Sequence, residues 1–590
     1  MPDSRPLKIY AFDPSRGHEL SNYMTVNARY EKVKPGPVGD YVAVIDYDAS
    51  NGKYYEPVDL DSPAVMLGGG LEPSESDPRF HQQMVYAVMM ETIRRFESAL
   101  GRKIKWAPDR GPKTDPHHGK LHIFPHGIEE ANAYYDPGLR AIVFGYFAAG
   151  EEDVGANLPG QTVFTCLSHD IIVHETTHAL IDGLRQKFTT ATGPDTPAFH
   201  EAFADVVALF QHFSYKDAVL DAIQRTGGDL HRPQLQADAK AEGEAQIRGE
   251  EAKPNPLVEL ARQFGDAMGM RAALRSALDK KPDPRLLETA LEPHDRGAIL
   301  VAAVFDAFFS VYLKRTRDLL RIGRAGGAVG AQGDLHPDLA NRLAGEASKL
   351  AQHFSNICIR ALDYSPPVDI SFGEFLRAII TADSDLVPED PWGYRAAFIE
   401  AFRARGIVPE DVGSYSEEAL RWRPPDVVDP KRPLKRCTGL TFNVLGEPNP
   451  RQTDRNATVL HHWASANREP LGLSTREKEF RVLSFHPLHR VGPDGQLCFD
   501  YVVEFLQERQ ERVDPSDPQS QKFTYLGGST VILNQHGEVR YAIVKHIDSQ
   551  RRLASQRAFL GRVGVRSALA TYIQGGAGRD LSFAAIHRGF

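Results

Sequence analysis

The sequence predicts a multidomain α+β chain of 590 residues, and three observations carry that prediction. Short strand patterns cluster before residue 150, long helical patterns fill most of 168–382, and strand patterns return beyond a proline-rich break, Arg423–Pro433 (RPPDVVDPKRP). The boundaries that follow are a β-rich extension over 1–80, a lobe with a sheet edge over 81–185 and a mainly helical lobe over 186–422. A linker at 423–436 and a separate α+β unit over 437–590 complete the chain.

Composition narrows the functional classes. Hydrophobic content of 42% and charged content of 25% are ordinary for a globular protein. The net charge is −9, and no Lys/Arg-rich run is long enough to track phosphates, so no nucleic acid is expected as partner. The longest apolar runs, such as Ala298–Phe309, fall short of the roughly 20 residues of a membrane span, so no membrane association is expected. The first twenty residues lack a basic stretch followed by an apolar core. Cys166, Cys358, Cys437 and Cys498 show no paired spacing, which argues against a disulfide framework and suits a reducing, cytoplasmic setting.

Taken in order, Leu7–Ala11 and Tyr41–Tyr47 read as short strands broken by Pro, Gly and Asp. His81–Gly101 reads as an amphipathic helix ending at its glycine. Strands follow at Leu121–Pro125, Asn132–Tyr135 and Arg140–Phe147, the last after a Pro137-Gly138 turn. They make either an ordinary hairpin or an edge to which an extended peptide can add. Helices are expected at Ser168–Leu184, Ala198–Phe213, Leu257–Ala277, Ala298–Leu320, Asn341–Leu362 and Phe372–Ala382, with a polar insertion at 226–256 and a flexible glycine loop at Gly323–Gly333. Past the linker, Phe480–Phe485, Leu497–Leu506, Ser529–Leu533 and Glu538–Ile547 read as strands, with a helix around Ala554–Tyr572. That unit shows no catalytic constellation, and His461-His462 has no partner at metal-ligand spacing.

The chemistry concentrates in Ser168–Asp182, SHDIIVHETTHALID. His174 and His178 are four apart, so on a helix both imidazoles reach one ion, and Glu175 stands beside them as a candidate base. Catalytic zinc usually takes three protein ligands, and Glu201 on the next helix is the candidate third. Asp205, one turn further on, and Asp170, one turn before His174, are both candidates to orient a liganding histidine.

The pattern H-E-x-x-H followed by E-x-x-x-D resembles that of the thermolysin-like zinc metallopeptidases, the gluzincins. The resemblance spans roughly residues 80–420. It implies a thermolysin-like catalytic unit with a β-rich N-terminal lobe, a metal helix and a mainly helical C-terminal lobe. It further implies Zn2+ on His174, His178 and Glu201, with Glu175 as general base and a peptide or protein substrate. Asn132-Ala133-Tyr134-Tyr135 is similar to the family segment that leads into the substrate-aligning edge, so Asn132 and the Ala133 backbone are expected to bind substrate. Glu292–Gly297 is similar to the segment carrying a histidine that stabilises the oxyanion, which assigns that role to His294. The family's tyrosine between the second histidine and the glutamate ligand is missing; only Phe188 and Phe199 are aromatic there. No convincing calcium-binding run or pro-segment is visible. Two other functions fit the same residues: a catalytically weak or inactive metal-binding interaction protein, and a zinc hydrolase of other amides or small peptides.

Overall fold

The computed structural model describes residues 2–14, 22–109, 111–150, 157–225, 282–326, 335–425, 431, 433–441, 450–477, 479–492, 495–562, 572–573 and 580–588. The polar insertion at 226–256, the helix at Leu257–Ala277 and most of the glycine loop therefore lie outside the described residues.

A hairpin of Ser4–Tyr10 and Tyr23–Arg29 opens the chain, paired antiparallel from Ser4↔Arg29 to Tyr10↔Tyr23. Its alternate residues Leu7, Ile9, Val26 and Ala28 are buried together with Phe80 and Met84 of the helix Pro78–Leu100. That helix begins where the Asp77 side chain accepts from Arg79 N–H. It ends at Gly101, whose φ of 67° is the left-handed conformation that glycine adopts without penalty.

Behind the helix lies a five-stranded mixed sheet. Val42–Val44 runs parallel to Leu121–Ile128, which runs parallel to Ala141–Ala148. Ala133–Asp136 pairs antiparallel with Ala141–Ala148 and forms the edge, and Thr162–Phe164 pairs with the far end of the same strand. The 1–80 extension thus lends a strand to the lobe that follows it.

Among the described residues, the longest helices of the next lobe are Asp195–Phe213, Pro293–Ala325, Pro337–Ala361, Phe372–Leu386 and Tyr394–Ala404. Their rows of Phe interlock, Phe210 and Phe213 with Phe308 and Phe354, at centroid distances of 5.4 to 5.8 Å. Among the described residues one helix, Pro293–Gly323, is long and apolar enough to cross a membrane, and it is largely buried at the centre of this lobe. The apolar run Ala298–Phe309 is therefore accounted for as core.

The 437–590 region carries a four-stranded antiparallel sheet in the order Arg481–Val491, Leu497–Arg512, Lys522–Asn534, Val539–Lys545. The helix Pro450–Ala466 has no counterpart in the sequence reading. Its Arg, Asn, Thr and His residues leave only Leu460, Trp463 and Ala464 buried as its apolar seam. Adjacent residues of each strand face opposite ways. Val503, Phe505, Val531 and Leu533 pack with Leu460 and Trp463, whereas Val502, Ile532 and Leu488 join the core of the helical lobe. The unit has its own sheet, yet it is not free of the lobe beneath. Buried Arg185, just past the metal-motif helix, meets buried Glu504 at 2.7 Å. Arg102 clamps Asp363, which also meets His486 at 3.2 Å.

Candidate metal centre and active site

The helix His169–Leu184 is buried along nearly its whole length, as its apolar residues on several faces require. Its seat is tight: a Cβ at Gly183 would stand 2.1 Å from the Lys105 carbonyl oxygen. On this helix the imidazoles of His174 and His178 meet with their Nε2 atoms 3.0 Å apart. The helix Asp195–Phe213 crosses it and brings Glu201 Oε2 to 3.3 Å from His174 Nε2 and 3.6 Å from His178 Nε2.

Whether these atoms suit a cation follows from their hydrogen-bond partners. His174 Nδ1 faces the Asp205 carboxylate at 2.9 Å, so Nδ1 keeps its proton and Nε2 is the nitrogen that can give up its own to bind a cation. His178 Nδ1 faces His200 Nδ1 at 3.0 Å; donating there leaves its Nε2 bare. Two imidazole nitrogens and a buried carboxylate then converge, and Glu201 Oε1 has no hydrogen-bond partner. Zinc bonds of about 2.0–2.1 Å in a tetrahedron separate ligand atoms by roughly 3.3 Å, close to the spacings here. The donor set fits zinc.

The orienting roles divide differently from the expectation. Asp205 meets His174 as expected. Asp170 does not: its Oδ1 accepts from His169 Nδ1 and His212 Nδ1, each at 3.0 Å, and these two rings take the carboxylate that the spacing offered to His174. His178 is oriented by His200, which the sequence reading passed over. A histidine next to a glutamate ligand carries no signal of its own, since only the crossing of the two helices brings its ring to His178.

Glu175 and the edge strand are joined, with Tyr135 N–H donating to Glu175 Oε2 at 2.8 Å. His294 stands at the start of Pro293–Ala325 with Nε2 3.6 Å from Glu201 Oε2 and Nδ1 3.1 Å from Glu292 Oε1. Phe188 and Phe199 pack edge to face in the core, 5.6 Å apart. Asn132 and Ala133 do bind a segment of chain, and it is this protein's own. Asn132 Nδ2 donates to the Ala584 carbonyl at 3.1 Å, and His587 Nδ1 lies 3.0 Å from the Ala133 carbonyl. The His587 ring then spans the centre: Nδ1 is 3.0 Å from Glu175 Oε1 and Nε2 is 3.1 Å from Glu201 Oε2. His174, His178, Glu201 and His587 thereby form one buried group of four that could hold a metal ion. No motif marks His587, which is 386 residues from Glu201.

Electrostatics agree with a site built around positive charge. Burial opposes a charge on every group here. Even so, Asp205 and Glu201 push His174 up to about 9, and Glu175 and Glu201 hold His587 well above the ordinary imidazole value. Burial depresses His178 to about 3. Against the same burial, His178 and His587 hold Glu201 well below the usual carboxylate range. Burial also opposes the cation on His294, but Glu292 and Glu201 raise it.

Two other buried groupings occur among the described residues. His81, His126 and Cys166 lie together, with His126 Nδ1 on Asp46 at 2.7 Å and Nε2 on His81 Nδ1 at 2.7 Å. The contacts continue from His81 Nε2 to the Glu75 carbonyl at 3.1 Å, and making all three takes one proton more than two neutral imidazoles carry. His169, Asp170 and His212 form the third. No family model matches this chain, and no curated protein matches it.

Proposed function

We propose that this protein is a zinc-dependent peptidase acting on peptides or unfolded proteins, with a catalytic unit that resembles the thermolysin-like metallopeptidases. The observation that supports this most is the convergence of His174, His178 and Glu201 with the carboxylate of Glu175, beside the edge strand Ala133–Asp136. A purely structural metal site has no use for a base at that position.

When bound, zinc supplies a Lewis acid that polarises a scissile carbonyl and acidifies water. The residues of the chain do the rest. His174, His178 and Glu201 hold the ion, with Asp205 and His200 fixing the two rings. Glu175 takes a proton from the attacking water and passes it to the leaving amine. His294, raised by Glu292, donates toward the oxyanion. Asn132 and the Ala133 carbonyl hold substrate backbone, the positions that residues 584 and 587 now use. Four unpaired cysteines suit a reducing, cytoplasmic setting.

One observation favours a second function, a metal-binding protein without catalysis: four buried protein ligands are the pattern of a structural zinc site. Zinc content and cleavage of a mixed peptide library separate the two. Full-length protein and Glu175→Gln should each hold one zinc, and cleavage should require Glu175 in a His587→Ala background. Bound zinc with no cleavage in that background excludes the peptidase.

A further inference from the structure

Building on the peptidase assignment, we infer that His587 is a fourth metal ligand and that residues 581–588 are an inhibitor built into the chain, which closes the centre until it is withdrawn. Three observations meet here. The first is the position of the imidazole. Its Nε2 lies 3.1 Å from Glu201 Oε2, at ligand-to-ligand spacing, and its ring stacks 5.3 Å from that of His178 at 26°. It fills the gap between Glu201 and Glu175, which is where water and a scissile carbonyl must meet during hydrolysis.

The second is how the segment is held. Leu581 N–H donates to the Thr189 carbonyl at 2.8 Å, just past the metal-motif helix. Phe583 is buried with its ring 4.4 Å from His178, 5.1 Å from His200 and 6.1 Å from Tyr135. Asn132 then fixes the Ala584 carbonyl. The anchors are on elements that build the centre, so the segment is seated by the cleft itself.

The third is its conformation. Phe583–Ile586 is a helical turn, not a strand added to the edge Ala133–Asp136. A turn presents a side chain to the ion in place of an extended peptide bond. The segment occupies the substrate groove without being a substrate. With His587, Glu175 and Glu201 all fully buried, no external peptide reaches the base while it stays.

The test uses the full-length chain with His587→Ala and, separately, Phe583→Asp, which removes the apolar anchor and leaves every ligand in place. Metal binding is read by chelator competition for zinc and by the visible spectrum of the cobalt-substituted protein; cleavage is read on a peptide library. His587→Ala should weaken zinc retention by at least about tenfold, the lower range for disturbing a metal's surroundings, and should alter the cobalt spectrum. Both variants should raise cleavage by about tenfold or more over the parent, and a synthetic peptide of residues 581–588 should suppress it again. An unchanged spectrum and unchanged zinc retention in His587→Ala overturn the ligand assignment, whatever the cleavage. A changed spectrum with no cleavage by either variant overturns the inhibitor and points to failure of the peptidase assignment, with the four-ligand centre left standing.

Discussion

At the scale of single residues, the two histidines of the motif depend on neighbours that reach them from a different helix. Asp205→Ala removes the acceptor 2.9 Å from His174 Nδ1, and the ring is then free to take the wrong tautomer. Zinc affinity should fall by about 10–100-fold with the fold intact, as chelator competition will show. In the His587→Ala background, His294→Ala should lower kcat by roughly 100-fold with little change in zinc content, the expected size for one oxyanion donor. The convergence of His174, His178, Glu201 and Asp205 was legible from sequence because four-residue spacing on a helix is itself a geometry. His200 and His587 were not, because each reaches the centre through tertiary packing. Asp170 misled for the same reason in reverse: one turn from His174 along the helix, its carboxylate is taken by His169 and by His212 from the neighbouring helix.

At the scale of elements, close backbone approach decides where the edge strand sits. A Cβ at Gly145 would stand 2.2 Å from the Glu130 carbonyl oxygen and 2.6 Å from that of Asn132. Neither atom is a side-chain end that can swing aside. Gly145→Ala should therefore displace the Asn132 turn and cost on the order of 1–3 kcal/mol, measured by urea unfolding. The central helix Pro293–Ala325 is held by its aromatic neighbours, so Phe308→Ala should cost about 3–5 kcal/mol in the same assay. Most helices and strands were readable from periodicity. Asp195–Phe213 begins earlier than its apolar pattern does, because Asp195 is held from outside by Arg296 and by Phe372 N–H. Pro450–Ala466 escaped detection because three buried residues make too narrow a stripe to show a period.

At the scale of the whole molecule, the sheet of 481–545 is bound to the helical lobe through buried charge as well as apolar surface. Breaking the Arg185–Glu504 pair by Arg185→Ala strands a carboxylate that burial already raises, and the loss should be about 3–5 kcal/mol. The same contact zone makes the fold sensitive to acid. Burial and Arg102 lower His486 to about 4, so between pH 6.5 and 4 the unfolded chain binds the proton that the folded chain refuses. Stability must fall as pH drops through that window. Asp363 adds to the loss below about pH 4: burial opposes its charge, but Arg102 and His486 hold it well below the usual range. With chelator present to remove metal effects, the melting temperature should decline from pH 7 to pH 4.5, and His486→Gln should flatten that decline. The proline-rich stretch at 423–433 marks an expected boundary, most of it outside the described residues. The shared core across it was not legible, since alternation along a strand shows two apolar faces but never names what covers each.

The distance along the chain between Glu201 and His587 also sets an order in time. A ribosome adding roughly 5–20 residues per second needs about 20–80 s to travel from one to the other. Throughout that interval the three earlier ligands and Glu175 already exist while the imidazole that caps them has not been made. If residues 581–588 cap the centre as proposed, the newly emerging lobe has its groove open before that segment is made, and zinc supplied then would meet three of the proposed ligands before the fourth arrives.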